Sequence, residues 1–118
     1  MKVTIYHNPR CSKSRQALQI LQDQGIDLEV VEYLKTPPDR PILEHILKLL
    51  GMGPRELIRK NEPEYKKVGL DDELLSHDEL ISALLQYPIL IERPIVIAKD
   101  KAIIGRPPEK VLEILNSP

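Results

Sequence analysis

The single cysteine of the chain lies directly after a strand pattern and directly before a helical one. Cys11 follows the mostly β-branched run Val3–Tyr6 and the breaking pair Asn8-Pro9, and a helical pattern begins at Ser12. The first turn of a helix carries unpaired amide groups and the positive end of the helix dipole, and both favour a thiolate over a thiol. We therefore predict that Cys11 is a nucleophile with a lowered pKa.

Basic side chains lie close to this cysteine in the sequence: His7, Arg10, Lys13 and Arg15. A lone cysteine is most often a small buried side chain. A cysteine of that kind would lie on an apolar face, whereas the neighbours of Cys11 are polar or charged. The sequence therefore favours a reactive thiol that acts on an anionic substrate.

The composition is that of one globular domain. The chain has 118 residues, of which 42% are hydrophobic and 30% charged, and its net charge of −1 gives no reason to expect nucleic-acid or membrane binding. No apolar run is long enough to cross a bilayer, and the first residues enter a strand with no room for a signal peptide. One cysteine cannot form an internal disulfide, which fits a reducing compartment, so we expect a cytoplasmic location.

The first third of the chain predicts a βαβ unit. Residues 2–6 and 28–33 have strand patterns, and residues 12–24 between them carry a helical apolar stripe that ends at Gly25. Because the joints are short, the two strands should be parallel.

The middle of the chain, about residues 39–87, predicts an all-helical insertion. Asp39 is the expected N-cap of a helix that Gly51 and Gly53 end, and Pro54 predicts a short helix that runs to Arg59. Ser76 and Glu79 form the pattern of a capping box that begins another helix.

The last third predicts a β-hairpin and a closing helix. The strands are residues 95–98 and 102–104, and the helix carries an apolar pattern from Val111. The element order predicts an α/β fold with a thioredoxin-like four-stranded mixed sheet, flanked by helices, and a helical insertion before the third strand. We expect one domain over residues 1–118, with Cys11 where this fold keeps its redox thiol.

Three arginines are candidates for binding an oxyanion: Arg59, Arg93 and Arg106. Arg93 and Arg106 each precede a proline at a strand boundary. For Arg59, spacing alone gives no reason to place it in the site. In a thioredoxin-like fold the residue before the third strand lies beside the thiol, and its bond to the following proline is typically cis. We therefore predict a cis bond between Arg93 and Pro94. Guanidinium groups offer paired donors to tetrahedral oxyanions and remain charged at any relevant pH.

Four motifs resemble those of the glutaredoxin-coupled arsenate reductase family. They are residues 7–15 (His-Asn-Pro-Arg-Cys-Ser-Lys-Ser-Arg), 57–61, 88–96 and 105–108. The resemblance extends over nearly the whole chain, with the motifs in the family's order and spacing. It implies that Cys11 is the nucleophile, that Arg59, Arg93 and Arg106 bind and stabilise the oxyanion, and that His7 helps to keep the thiol ionised.

The resemblance also implies a reaction. Cys11 attacks arsenate to give a covalent Cys–S–As(V) adduct, glutathione adds to the arsenic, and glutaredoxin removes the glutathione so that arsenite leaves. Reducing equivalents must come from outside because the chain has no second thiol. No bound cofactor is implied. No metal is implied either, since His7, His45 and His77 have no ligand spacing.

The sequence departs from the resistance-operon enzymes of this family after the cysteine, where they typically carry Gly-Thr. Ser12-Lys13 stands there instead, as in many housekeeping relatives.

Two alternative functions remain. Spx-type regulators share the fold and bind RNA polymerase, but usually carry a second cysteine at the position of Ser14. A glutathione-dependent thiol oxidoreductase without arsenate activity is the other.

Overall fold

The computed structural model describes residues 2–115 of the chain. These fall into two compact units. The first unit contains Met1–Thr36 and Arg93–Pro118, and the second contains Pro37–Glu92. A single domain over the whole chain stays a prediction.

The first unit is built on a four-stranded mixed sheet of order β2-β1-β3-β4. The strands are β1 (Lys2–His7), β2 (Asp27–Glu32), β3 (Ile95–Ala98) and β4 (Lys101–Ile104). β1 pairs in parallel with β2 and antiparallel with β3, and β3 and β4 form an antiparallel hairpin. The predicted parallel pair and the predicted hairpin are both confirmed.

Helices pack on the sheet of this unit through a continuous apolar core. α1 (Ser12–Asp23) follows β1, and a 3-10 turn (Pro108–Val111) leads into α6 (Leu112–Leu115). The core comprises side chains from both central strands and these helical segments: Val3, Ile5, Ala17, Leu21, Val96, Ala98, Val111 and Ile114. Burial of these apolar surfaces fixes β1 against α1, and Cys11 lies in the joint between them.

The second unit is helical. Its elements are α2 (Arg40–Leu50), α3 (Pro54–Leu57), α4 (Pro63–Lys67), α5 (His77–Gln86) and a 3-10 turn (Pro88–Leu90). Leucine and isoleucine side chains form its interior, among them Leu43, Ile46, Leu57, Ile81 and Leu84. The predicted helical insertion before the third strand is therefore present.

Local capping chemistry sets the helix ends of this unit as predicted. The Asp39 carboxylate accepts a hydrogen bond from the Ile42 amide at 3.0 Å, and Gly51 ends α2 with φ of 68°. Ser76 and Glu79 form the capping box of α5, with side chain-to-amide distances of 3.1 Å. Each interaction satisfies main-chain groups that a helix end leaves unpaired.

The short helix α3 differs from the prediction at its C-terminal end. It ends at Leu57 rather than running to Arg59. Ile58 instead forms a β-bridge with Ile91, and the Glu92 amide donates to the Leu57 carbonyl at 2.8 Å. Pairing with a distant segment has overridden the local helical preference. Within residues 2–115, no helix is long and apolar enough to span a bilayer.

Candidate active site

Cys11 occupies the N-cap of α1, as the sequence predicts, and the turn before it is held by Asn8. The Cys11 amide donates to the Asn8 carbonyl at 3.0 Å, and the Arg10 amide donates to Asn8 Oδ1 at 3.0 Å. Asn8 is only 2% exposed, so the residue that holds this turn is buried. Cys11 itself is partly exposed and forms no disulfide. The thiol is therefore fixed in place and open to a substrate.

The surroundings of the thiol favour its ionised form. Burial raises the pKa of Cys11, but the Ser14 amide, the Arg93 guanidinium and the Lys13 amide outweigh it, so the pKa is below its usual value. The sulfur makes no short capping hydrogen bond of the kind that a serine or aspartate oxygen makes at this position. The helix amides instead stabilise charge on a larger and softer atom.

Arg93 and Arg106 meet at Cys11 because the hairpin returns the chain to the same end of the sheet. Arg93 lies two residues before β3 and Arg106 lies two residues after β4, and Ile95 pairs with Ile104. Arg106 Nη2 lies 3.7 Å from Cys11 Sγ, and the Arg93 side chain hydrogen-bonds to the same thiol. Arg93 is 7% exposed, so its charge is buried beside the sulfur.

Two cis peptide bonds lie at these arginines. The bond between Arg93 and Pro94 is cis, which confirms the prediction. The bond between Arg106 and Pro107 is also cis, which the sequence did not lead us to expect.

Gly105, which precedes Arg106, packs closely against Pro94 and the closing 3-10 turn. Its amide donates to the Pro94 carbonyl at 2.9 Å. A Cβ atom at this position would lie 2.8 Å from Val111 Cγ1 and 2.9 Å from Pro94 Cγ, closer than such atoms can pack. Only glycine fits between the two segments that carry the arginines and the closing 3-10 turn.

His7 is linked through Ser14 to the first turn of α1, whose amides face the thiol. His7 Nδ1 lies 2.6 Å from Ser14 Oγ, and the same oxygen accepts a hydrogen bond from the Asn8 amide at 3.0 Å. Burial lowers the pKa of His7, Glu32 raises it and Arg15 lowers it, with a net decrease. The ring is therefore mainly neutral at pH 7.

Ser14 is the residue of this site that the sequence reasoning missed. It is fully buried, and it connects His7 to the amide that faces the Cys11 thiol. The available signal was its spacing, because Ser14, Ala17 and Leu21 lie on one face of α1 and all three are buried.

Arg59 belongs to the second unit, where carboxylates hold it. Its guanidinium lies 3.0 Å from Glu92 Oε1 and 3.3 Å from Glu62 Oε1. Its amide donates to the Leu90 carbonyl at 2.7 Å. The oxyanion-binding role of Arg59 stays a prediction.

The other basic side chains near Cys11 are exposed. Arg15 Nη1 donates to the Pro9 carbonyl at 2.9 Å and so braces the turn before the thiol. Within residues 2–115, no three histidine, cysteine, aspartate or glutamate side chains are grouped to hold a metal ion. The chemistry of the first unit's site is therefore that of an ionised thiol with two guanidinium groups, which suits nucleophilic attack on a tetrahedral oxyanion.

Comparisons with known proteins agree with this chemistry. A model of the ArsC family matches residues 6–114. The uncharacterised protein YfgD of Escherichia coli K12 is 55% identical over 116 residues, covering 98% of each chain. An arsenate reductase of Neisseria meningitidis is 47% identical, covering 97% of this chain and 98% of the relative. The solved structure of an arsenate reductase from Vibrio cholerae is 48% identical with a TM-score of 0.93, covering 97% and 98%.

Proposed function

We propose that this chain, which belongs to the ArsC family, reduces arsenate to arsenite through a covalent adduct on Cys11. The observation that carries the proposal is the juxtaposition of the Cys11 thiol with the guanidinium groups of Arg93 and Arg106. A thiolate and an arsenate anion repel each other. Two fixed positive charges at the sulfur offset that repulsion in the ground state and stabilise charge on the oxygens in the transition state.

In the first step the Cys11 thiolate donates an electron pair to arsenic, and one arsenic-bound oxygen takes up protons and leaves as water. The product is a Cys–S–As(V) adduct that still carries negatively charged oxygens. Arg93 and Arg106 bind these oxygens, and Arg59 is proposed as a third ligand on the strength of the family resemblance.

In the later steps the electrons come from external thiols, because the chain has one cysteine. The glutathione thiol replaces a second arsenic-bound oxygen, which leaves as water. A glutaredoxin thiolate then attacks the glutathione sulfur, the arsenic keeps the electron pair of the broken As–S bond, and As(V) becomes As(III). Hydrolysis of the Cys11–arsenic bond releases arsenite and returns the thiol.

His7 is proposed as a positioning residue. Its ring binds Ser14 Oγ at 2.6 Å, and the Ser14 amide is one of the groups that lower the pKa of Cys11. A fixed Ser14 therefore keeps the amide aimed at the sulfur. This is how His7 would help to keep the thiol ionised while itself remaining neutral.

The narrower assignments are also proposals. Ser12-Lys13 after the nucleophile supports a place among the housekeeping members of the family, and the single unpaired cysteine supports a cytoplasmic location. The reaction as written needs no bound cofactor, metal, nucleic acid or membrane.

The direct test is arsenate-dependent NADPH consumption with glutathione, glutathione reductase and glutaredoxin, measured for the wild type and for Cys11→Ser. Turnover that is lost in Cys11→Ser is the expected result. No turnover from folded protein with an ionised Cys11 would contradict the proposal. Activity on a glutathione mixed disulfide in that case would assign a thiol oxidoreductase, and stoichiometric capture of RNA polymerase would assign the regulator.

A further inference from the structure

A cleft opens at the ends of β1 and β2, next to the turn that precedes Cys11. Its volume is about 280 Å³, and it is lined by Asn8, Pro9, Arg10, Glu32, Leu34 and Lys35. Because β1 and β2 are parallel, the segments that follow them lie at one edge of the sheet. Ligands of α/β folds commonly bind at this carboxyl edge.

We propose that this cleft binds the thiol co-substrate, a small peptide thiol with two carboxylates and one ammonium group, which is the chemistry of glutathione. The inference rests on the proposed function, because that function requires such a thiol to reach the arsenic on Cys11. Arg10 is adjacent to Cys11 in the chain, and Asn8 holds the Cys11 amide at 3.0 Å. The cleft therefore adjoins the turn that carries the nucleophile.

The charges of the cleft are complementary to this ligand. Arg10 and Lys35 supply two positive groups for two carboxylates, and Glu32 supplies one negative group for the ammonium. Leu34, which is 39% exposed, and Pro9 supply an apolar surface for the methylene groups between the charges. The volume of about 280 Å³ is just below the roughly 300–1,000 Å³ of ordinary ligand pockets, which suits a tripeptide better than a larger cofactor.

The existing ion pair in the cleft does not prevent binding. Lys35 Nζ lies 3.5 Å from Glu32 Oε1, and 80% of the Lys35 side chain is exposed. Exposed pairs of this kind contribute little to stability and are easily replaced. A ligand that carries both signs of charge can replace each partner with one of its own groups.

The test uses oxidised glutathione and needs no arsenate. The Cys11 thiolate attacks one sulfur of the disulfide, the S–S bond breaks, a mixed disulfide forms on Cys11 and one glutathione thiolate leaves. The measured quantity is a ratio of two rates of mixed-disulfide formation on Cys11. The rate with oxidised glutathione is divided by the rate with 2-hydroxyethyl disulfide, which is neutral. The ratio cancels any change in the pKa of Cys11, since that change affects both reactions.

The variants are Lys35→Glu and Arg10→Glu, with Lys2→Glu as the matched control. Lys2 lies at the opposite end of the same strand pair, is 61% exposed and forms an equivalent 3.6 Å ion pair with Glu29. We expect each cleft variant to lower the ratio roughly three- to tenfold, as the loss of a modest exposed ion pair and its replacement by repulsion predicts. The control should leave it unchanged.

An unchanged ratio in both cleft variants would overturn the proposal, and so would an equal decrease in Lys2→Glu, which would indicate only a net-charge effect. The two proposals fail separately. If the wild type turns over arsenate but the ratio is unchanged, the cleft assignment alone is wrong. If arsenate turnover is absent but the ratio falls as expected, the cleft still binds the peptide thiol.

Discussion

Arg106 donates a hydrogen bond from Nε to the main-chain oxygen of Arg93 at 2.8 Å. The bond joins the segment before β3 to the segment after β4 and leaves the terminal nitrogen of Arg106 directed at Cys11 Sγ. The two arginines are therefore one structural feature rather than two independent surface charges. Only an arginine provides both the Nε donor and the terminal donors that this geometry uses.

Replacing either arginine by alanine should reduce the rate of arsenate turnover by roughly 10²–10³-fold, the usual cost of one lost oxyanion donor. Arg106→Lys should recover little, because lysine keeps the charge but cannot make the Nε bond to the Arg93 carbonyl. Steady-state kinetics of the three variants measures this. Near-wild-type rates in both alanine variants would contradict the oxyanion site.

The thiol should ionise below the ordinary pKa of a free cysteine, and its alkylation by iodoacetamide measures this directly because the chain has one cysteine. The rate should rise with pH to a midpoint below that value. Arg93→Ala should move the midpoint upward, since the Arg93 side chain lowers the pKa.

The same shift has a consequence for stability. Because the folded-state pKa of Cys11 is lowered, its ionisation stabilises the fold above the unfolded pKa, and this contribution disappears as the pH falls through the folded pKa. Urea unfolding of the wild type should therefore lose more stability between pH 9 and pH 5 than that of Cys11→Ser. An identical loss in the two proteins would contradict the lowered pKa.

Ser14→Ala should destabilise the fold by about 1–3 kcal/mol, because it leaves a buried donor unpaired. The lost hydroxyl accepts from the Asn8 amide and pairs with His7. Ser12→Ala is the matched control, since Ser12 is an exposed serine in the same helical turn. The free energy of unfolding of Ser12→Ala should differ from that of the wild type by no more than about 0.5 kcal/mol. Equal unfolding midpoints in urea for the two variants would show that the Ser14 hydroxyl contributes nothing.

Arg59→Ala tests the one proposed ligand that lies in the second unit. If Arg59 binds arsenate, KM for arsenate should rise by roughly 10- to 150-fold, the value of a charged hydrogen bond of about 1.5–3 kcal/mol. Arg55→Ala is the control, because Arg55 donates to the Leu70 and Asp72 carbonyls at 2.8 Å and so has a structural role. It should lower stability without changing KM. An unchanged KM in Arg59→Ala would remove Arg59 from the site.

The sequence was sufficient wherever local chemistry decides the structure. The strand and helix patterns of the first third predicted β1, α1 and β2, and the short joints predicted the parallel pairing of the two strands. Asp39 and Ser76 cap their helices because the required acceptor lies within three residues of the amide that it binds. The position of Cys11 at a helix N-terminus followed from the same kind of reasoning.

The sequence was not sufficient where distant segments meet. The end of α3 depends on a bridge between Ile58 and Ile91, which lie far apart in the chain. The bond from Arg106 to the Arg93 carbonyl likewise depends on the hairpin register. Neither contact produces a periodic or capping pattern in the sequence around either partner. Local spacing therefore could not predict them.

Gly105→Ala should lower both stability and thiol reactivity, although glycine to alanine is ordinarily a mild change. The added methyl carbon would lie 2.8 Å from Val111 Cγ1 and 2.9 Å from Pro94 Cγ. Overpacking of this kind costs about 1–3 kcal/mol. Because Gly105 precedes Arg106, relief of the clash should also move the guanidinium away from the 3.7 Å contact with Cys11 Sγ. Urea unfolding and the alkylation midpoint measure the two effects.

Gly53→Ala is the control for that substitution. The atom nearest to a new methyl carbon there is Glu56 Oε1 at 4.0 Å, so no overpacking results. The double variant Gly105→Ala/Val111→Ala should be less destabilised than the sum of its single changes, because the smaller side chain removes one of the two close contacts. Simple additivity would mean that Val111 does not limit the space at Gly105. Wild-type stability and an unchanged alkylation midpoint in Gly105→Ala would show that this close approach does not position Arg106.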